Sequence, residues 1–172
     1  MQSVEKSVMT LLSDPDFNAD IYNSSYETVS VAQALNGCFY TVFYFGSDKS
    51  LSFTHELIQT FFEANCSTSH RIQVFYIGCE LSYEAYRTHV KQMPWPIFAF
   101  GSLLGKRLTK IFNATQAPSA AIVETHSGRV VSDRGVELIQ RHGASVFKKF
   151  ERMVDFDNYN QAYERKEPLL AN

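Results

Sequence analysis

Two serines, Ser47 and Ser50, occupy the point where an apolar stretch of the chain gives way to a helical pattern. The preceding run from Cys38 to Phe45 is continuously apolar, with aromatic and β-branched residues, which is typical of a strand buried on both faces. A serine hydroxyl at the start of a helix accepts a hydrogen bond from a backbone N–H and stays neutral. The pair therefore predicts helix capping and turn formation at this junction. Because a hydroxyl oxygen cannot form a disulfide, no exchange of electron pairs is expected at these two positions.

Thiols and imidazoles are scattered along the rest of the chain. The three cysteines, Cys38, Cys66 and Cys79, are far apart, and their odd number favours free thiols in a reducing compartment. The residues after Met1 lack the apolar core of a secretory signal, which favours a cytoplasmic protein or one shared with the nucleus. The five histidines show no metal-ligand spacing, and the pair Cys66 and His70 is isolated, so no metal site is expected.

Charge and composition argue against several classes of function. The net charge of −2 offers no electrostatic reason to expect a nucleic-acid partner or an anionic membrane. No apolar run of about 18 residues is present, so no membrane span is expected. The chain lacks a glycine-rich phosphate loop and the common hydrolase and zinc-protease motifs, so no cofactor is expected. A length of 172 residues, 45% of them hydrophobic, suits one domain with a substantial core.

Periodicity in the sequence predicts the elements that position the two serines. Strands are predicted over residues 38–45, 71–77, 120–124 and 129–131, the last two joined by a hairpin turn at residues 125–128. Helices are predicted over residues 3–12, 31–35, 53–62, 83–93, 103–112 and 146–153. This alternation predicts an α/β fold in which helices cover both faces of a central sheet.

Several short passages resemble the tryparedoxin and nucleoredoxin branch of the thioredoxin-like proteins. Met93-Pro94-Trp95 matches a segment of that family closely, and the other similar passages are residues 43–45, 53–57, 112–118 and 127–131. The resemblance covers roughly residues 26–152. It implies a thioredoxin-like fold with a central mixed sheet over residues 26–154, preceded by an N-terminal helical extension over residues 1–25. A polar C-terminal tail is expected over residues 155–172.

The chain departs from this family at the redox motif. Counting back from Phe53, Ser47 and Ser50 fall on the two positions of the family's Cys-x-x-Cys, and residues 39–65 contain no cysteine. The resemblance also implies that Pro118 is a cis-proline shaping a groove in which the Ala117 backbone pairs with an extended substrate. Trp95 lies in a loop that flanks the same face in the family. The expected binding surface therefore comprises Ser47, Asp48, Lys49, Ser50, Trp95, Ala117 and Pro118.

These features favour a redox-inactive module that binds a protein or peptide, with no catalytic residue assigned. One alternative is an enzyme related to the thiol-disulfide oxidoreductases or one that uses glutathione. In the latter, Ser47 or Ser50 donates a hydrogen bond to the glutathione thiolate from the helix N-terminus. Another is a thiol sensor acting through Cys79, because the carboxyl end of a buried strand lies close to the site in open α/β sheets.

Overall fold

A central sheet of six strands forms the middle layer of the protein. The computed structural model describes residues 8–14, 20–66 and 71–151. The strands are β1 Ile21–Tyr22, β2 Tyr40–Gly46, β3 Ile72–Gly78, β4 Ile97–Phe98, β5 Ser119–Glu124 and β6 Val130–Ser132. Their spatial order is β1-β4-β3-β2-β5-β6. The β4-β3-β2 part is parallel, and the flanking strands pair antiparallel.

Helices pack on both faces of this sheet. They are α1 Val8–Leu12, α2 Val31–Leu35, α3 Leu51–Asn65, α4 Tyr83–Val90, α5 Leu103–Ile111 and α6 Gly135–His142. Residues 145–151 are helical as well. A single turn of 3-10 helix, Asp48–Ser50, leads from β2 into α3. In the part of the chain that the structure describes, no helix is long and apolar enough to cross a membrane.

The side chains of β2 and β3 alternate between two hydrophobic cores, because successive residues of a strand point to opposite faces. Even-numbered residues pack beneath α3, α4 and α6, and they are Tyr40, Val42, Tyr44, Ile72, Val74 and Tyr76. Odd-numbered residues pack against α1, α2 and α5, and they are Phe43, Phe45, Phe75 and Ile77. Every residue of β2 is buried, which accounts for its continuous apolar sequence.

The ends of three strands meet at one edge of the sheet. The parallel register between β2 and β3 runs as far as Gly46 opposite Gly78. β5 begins at the same edge, where Ser119 lies opposite Phe45. We call this region the carboxyl edge and define it as residues 46–51, 78–84, 99–103 and 116–119.

The predicted α/β fold with a mixed sheet is confirmed, and each predicted strand lies within two residues of its expected bounds. Three elements are not evident from the sequence pattern. β1 and β4 contain only two residues each, and α6 begins at a glycine. The helix predicted over residues 3–12 is present as α1, and the earlier part of that range lies outside the described residues.

The N-terminal boundary of the domain differs from the expectation. α1 and β1 fall within the predicted extension of residues 1–25, yet α1 packs into a core and β1 pairs with β4. Ile21 is fully buried in that pairing, so the sheet begins before residue 26. The tail predicted over residues 155–172 lies outside the described residues.

α6 lies very close to β5 at its first residue, Gly135. A Cβ at this position would lie 2.7 Å from the Ala120 carbonyl oxygen and 2.8 Å from the Ala120 Cβ. Because β5 is held between β2 and β6, its backbone has little room to move. We expect Gly135→Ala to lower the free energy of unfolding by about 1–3 kcal/mol, as overpacking does. Urea denaturation measures the change.

Gly105→Ala in α5 is the matched control. There the nearest atom to a new Cβ is a side-chain atom, Ile77 Cγ2 at 3.2 Å. Alanine also gains about 1 kcal/mol in helix propensity over glycine. The free energy of unfolding should therefore change little in this variant, and equal losses in the two variants would contradict the argument.

Candidate functional site at the carboxyl edge

The Ser47–Ser50 turn is held by two reciprocal hydrogen bonds. Ser47 Oγ accepts from the Lys49 N–H at 3.2 Å, and Ser50 Oγ accepts from the Ser47 N–H at 3.2 Å. This is a capping box, and it confirms the predicted capping role of the two serines. Asp48 and Lys49 are exposed and Ser47 is half-buried, whereas Ser50 is buried. Only the first of the two hydroxyls is therefore within reach of a ligand.

Cys79 follows β3 at the same edge and is held close to this turn. Its N–H donates to the Gly46 carbonyl oxygen at 2.7 Å, and its side chain is exposed. Partial burial of the thiol raises its pKa, and the neighbouring Glu80 carboxylate raises it further. Since the thiolate is the form that peroxide oxidises, these surroundings do not favour the predicted role of Cys79 as a thiol sensor. All three cysteines of the chain are free.

Ala117 and Pro118 complete the carboxyl edge beside the turn. The peptide bond between them is cis. Ala117 is exposed and Pro118 is half-buried. Ser119 follows directly and pairs with Phe45, which is two residues before Ser47. The sheet therefore brings the predicted residues of the turn and of the Ala117–Pro118 segment together.

Trp95 does not belong to this surface. Its side chain is 1% exposed and packs edge-on against Phe61 of α3, with ring centroids 5.6 Å apart. Met93 and Ile97 lie in the same core. The loop around Pro94 therefore directs the indole inward beneath α3, and Trp95 is not available to a partner.

The carboxyl edge carries exposed apolar side chains that the sequence analysis did not assign to it. Leu81 is completely exposed just after β3, and the other exposed members are Leu51, Tyr83, Phe100 and Leu103. Tyr83 and Leu103 fit the apolar spacing of their helices, but each is the first residue of its helix and extends beyond the core. A strand end followed by an apolar residue at a helix start is the sequence signal that could have identified them.

A cleft of about 450 Å³ lies between the Ser47–Ser50 turn and α4. It is lined by Asp48, Leu51, Ser82, Glu84, Ala85, Thr88, His89 and Gln92. A second cavity of about 550 Å³ lies at the opposite edge of the sheet, where Phe39, Glu124 and Glu151 line it. Of the cysteines and histidines considered in the sequence analysis, Cys38 and His126 line that second cavity, and none of the predicted binding residues does. The cleft beside the turn is therefore the one relevant to the candidate site.

A buried polar network lies beneath the turn. Thr54 Oγ1 donates to the Ser50 carbonyl oxygen at 3.1 Å and lies 2.7 Å from Tyr44 Oη and 2.8 Å from His89 Nε2. On the other side of the ring, His89 Nδ1 lies 2.9 Å from Glu80 Oε1, and Tyr76 Oη donates to the same oxygen. We call the side chains of Tyr44, Thr54, Tyr76, Glu80 and His89 the buried network. Sequence reasoning missed it because Tyr44 and Tyr76 fit apolar strands, and the signal was a polar Thr54 and His89 within apolar helix faces.

The order Glu80, His89 and Thr54 has the connectivity of a hydrolytic triad, in which an acid orients an imidazole toward a hydroxyl. Thr54 is completely buried, and its oxygen also contacts Tyr44 and the Ser50 carbonyl. No substrate carbonyl could reach that hydroxyl. The arrangement therefore serves structure and not nucleophilic catalysis.

In the described part of the chain, no group of three or more His, Cys, Asp or Glu side chains could hold a metal ion.

Thr54→Val tests the energetic weight of the buried network. The substitution keeps the shape of the side chain but leaves the Ser50 carbonyl, Tyr44 and His89 short of a partner. Leaving buried polar groups unpaired costs about 1–3 kcal/mol, so we expect the free energy of unfolding in urea to fall by about that much. Thr60→Val is the matched control, because Thr60 is also buried on α3 but lies outside the network. Comparable losses in the two variants would show that the network adds nothing.

The raised pKa of Cys79 predicts slow alkylation at neutral pH. A higher pKa leaves less thiolate at a given pH, so the rate should reach half its maximum at a higher pH than for an ordinary cysteine. Peptide-resolved mass spectrometry after iodoacetamide pulses measures this rate, with the same cysteine in the urea-unfolded chain as the control. A half-maximal rate at lower pH in the folded chain would contradict the prediction.

Comparison by sequence finds no match: no protein-family model and no curated protein matches the chain. Comparison of structures does find relatives. Tryparedoxin I from Crithidia fasciculata superposes with a TM-score of 0.67 at 22% identity, covering 81% of this chain and 94% of that chain. Tryparedoxin from Trypanosoma brucei gives 0.65 at 15% identity, covering 78% of this chain and 93% of that chain. Thioredoxin from Wuchereria bancrofti gives 0.61 at 17% identity, covering 81% and 96%.

At these low identities the likeness establishes the fold and not the activity. It confirms the expectation drawn from the short passages of sequence. The sheet and its surrounding helices form the thioredoxin fold, in a form similar to that of the tryparedoxins.

Proposed function

We propose that this protein is a redox-inactive module of the thioredoxin fold that binds a protein or peptide at its carboxyl edge. The observation that carries the proposal is the Ser47–Ser50 turn, whose two hydroxyls cap the 3-10 turn leading into α3, where a disulfide would have to form. Disulfide exchange needs a thiolate to attack and a second sulfur to receive it. With oxygen at both positions, the fold keeps a shaped surface and loses its redox centre.

The main chain at Ala117 supports peptide binding. Within the described residues, neither the N–H nor the C=O of Ala117 makes a hydrogen bond. Two residues later, Ser119 is already paired with β2. Free donors and acceptors beside a sheet are what an extended peptide uses when it pairs with a backbone edge. The small side chain of Ala117 leaves this approach open.

The exposed apolar side chains of the carboxyl edge support a partner with apolar side chains of its own. Single exposed leucines are normal on a protein surface, but several at one edge mark an interaction site. Leu51, Leu81 and Leu103 lie on three consecutive strand–helix connections of this edge. Such a module would work in the cytoplasm or the nucleus, where free cysteines persist.

Ala117→Arg tests the binding surface, with a displayed peptide library as the probe. Peptides selected on the wild-type protein should bind the variant about tenfold more weakly or worse, because a bulky charged side chain would block the backbone edge. Fluorescence anisotropy of labelled peptides measures the dissociation constants. Ala32→Arg is the matched control, since Ala32 is exposed on α2, which contacts the beginning of β3 at the opposite edge. Failure to select any peptide, or equal binding by both variants, would overturn the proposal.

A reductase assay tests the redox part of the proposal separately. With dithiothreitol as electron donor, the protein should reduce insulin disulfides no faster than the donor alone, because its turn lacks sulfur. A thioredoxin run in parallel calibrates the assay. Reduction at the rate of that thioredoxin would show that the chain is an oxidoreductase despite its serines.

A further inference from the structure

Three hydrogen bonds at Thr54 Oγ1 require a hydrogen from His89. The oxygen contacts Tyr44 Oη, the Ser50 carbonyl oxygen and His89 Nε2. Tyr44 and Thr54 bring one hydrogen each, and a carbonyl brings none. If Tyr44 instead donates to the Ser50 carbonyl, 3.4 Å away, Thr54 must use its hydrogen on Tyr44. In either arrangement the bond between Thr54 and His89 takes its hydrogen from Nε2.

The other side of the ring then requires a second proton. His89 Nδ1 lies 2.9 Å from Glu80 Oε1, Tyr76 donates its one hydrogen to that same oxygen, and Tyr76 Oη also lies 3.0 Å from Nδ1. If the Tyr76 hydrogen points to Nδ1 instead, the contact between Tyr76 and Glu80 needs a hydrogen from Glu80 itself. With Nε2 protonated, a neutral ring and an ionised carboxylate would place two lone pairs against each other at this distance. A proton on Nδ1, or one on Glu80, removes the conflict.

The two phenols in this count keep their hydrogens at neutral pH. Burial raises the pKa of Tyr44 to about 12. Burial raises the pKa of Tyr76 as well, and Glu80 raises it further through its charge and its hydrogen bond. Both tyrosines therefore keep the hydrogen that the count assigns to them.

We propose that His89 and Glu80 together hold two protons, and that this pair is a latch fixing the Ser47–Ser50 turn to α4. The connection passes through Thr54 to the Ser50 carbonyl, while the Ser50 hydroxyl accepts the Ser47 N–H. If the pair loses one proton, one hydrogen bond in this series is lost. The latch therefore weakens as pH rises. It acts on the turn whatever the carboxyl edge binds.

Several titratable groups lie around the pair. Tyr44 faces it from β2, Tyr76 from β3, Cys79 from the loop after β3, and Tyr86 from α4. Asp48 and Glu84 line the cleft that His89 closes, one on the 3-10 turn and one on α4. Each of these groups is neutral or acidic. A pair with two protons has no net charge, whereas a pair with one proton carries one negative charge.

Nuclear magnetic resonance of the wild-type chain tests the proton count directly. Long-range ¹H–¹⁵N correlations at neutral pH report which ring nitrogens of His89 carry hydrogen, and the ¹³C shift of the Glu80 carboxyl reports its protonation. A proton on Nε2 with a second on Nδ1 or on Glu80 supports the proposal. A bare Nε2, or a pair holding one proton, overturns it. Both signals are followed together in the same sample.

Amide exchange tests the latch itself. Protection of the Ser47 and Ser50 N–H groups, taken relative to the unfolded-chain rate, should fall about fivefold when the pair loses a proton, the effect of one net hydrogen bond. In His89→Gln the carboxamide presents an N–H to Thr54 at any pH, so this dependence should disappear. His55→Gln is the matched control, because His55 is exposed and its ring hydrogen-bonds the exposed Gln92, outside the buried network.

The control should keep the wild-type pH dependence of protection. Protection that stays constant while the pair loses its proton would overturn the latch, as would loss of the dependence in His55→Gln. Both measurements on the wild-type chain stand even if His89→Gln does not fold.

Discussion

The in-register parallel pairing of β2 with β3 is the constraint on which both the core and the carboxyl edge depend. It directs Tyr44 and Tyr76 to the same face, beneath α3 and α4, with their rings 5.1 Å apart. It also ends both strands together, at Gly46 and Gly78. A slip of one residue would turn every side chain of one strand to the other face, so burial on both faces holds this register strongly. The glycines belong to the same arrangement, since a Cβ on Gly46 would lie 2.6 Å from the Tyr44 ring.

The buried network consists of polar groups within a core that is otherwise apolar. A buried polar group that lacks a hydrogen-bond partner lowers the stability of the fold. When every group has its partner, the hydrogen bonds hold the side chains in one arrangement. Here Thr54, His89 and one oxygen of Glu80 are all bonded, whereas Glu80 Oε2 has no partner among the described residues. The network joins β2, β3, α3 and α4 at the point where they approach the turn. It therefore makes the position of the turn a property of the core.

Oxygen in place of sulfur changes what the turn can do while leaving its geometry useful. A serine hydroxyl caps the 3-10 turn before α3 through hydrogen bonds that a thiol makes only weakly, and the capping box uses both serines in this way. The neighbouring thiol of Cys79 has a raised pKa and is not activated. The carboxyl edge thus has backbone groups at Ala117 and an apolar rim, but no reactive sulfur pair. Those properties are the ones on which the proposed binding role rests.

The elements could be predicted wherever the evidence for them is local. The strands at Tyr40–Gly46 and Ile72–Gly78 follow from continuous apolar runs, and the capping by Ser47 follows from a hydroxyl at a helix start. β1 and β4 could not be predicted, because two-residue strands have no periodicity and exist only through their pairing. The meeting of the turn with Ala117 was expected only from the resemblance to the tryparedoxins, because it depends on which strands end at the same edge of the sheet.

By itself the sequence determined the alternation of buried strands and amphipathic helices, and the absence of sulfur from the turn. Tertiary structure alone decided that Trp95 packs inward and that Leu81 is exposed. It also decided that Thr54 meets His89, 35 residues away along the chain. The physical reason is that spacing along a chain records which residues share a face of one element. Which faces then meet, and which polar groups must pair when they do, depends on how separate elements pack together.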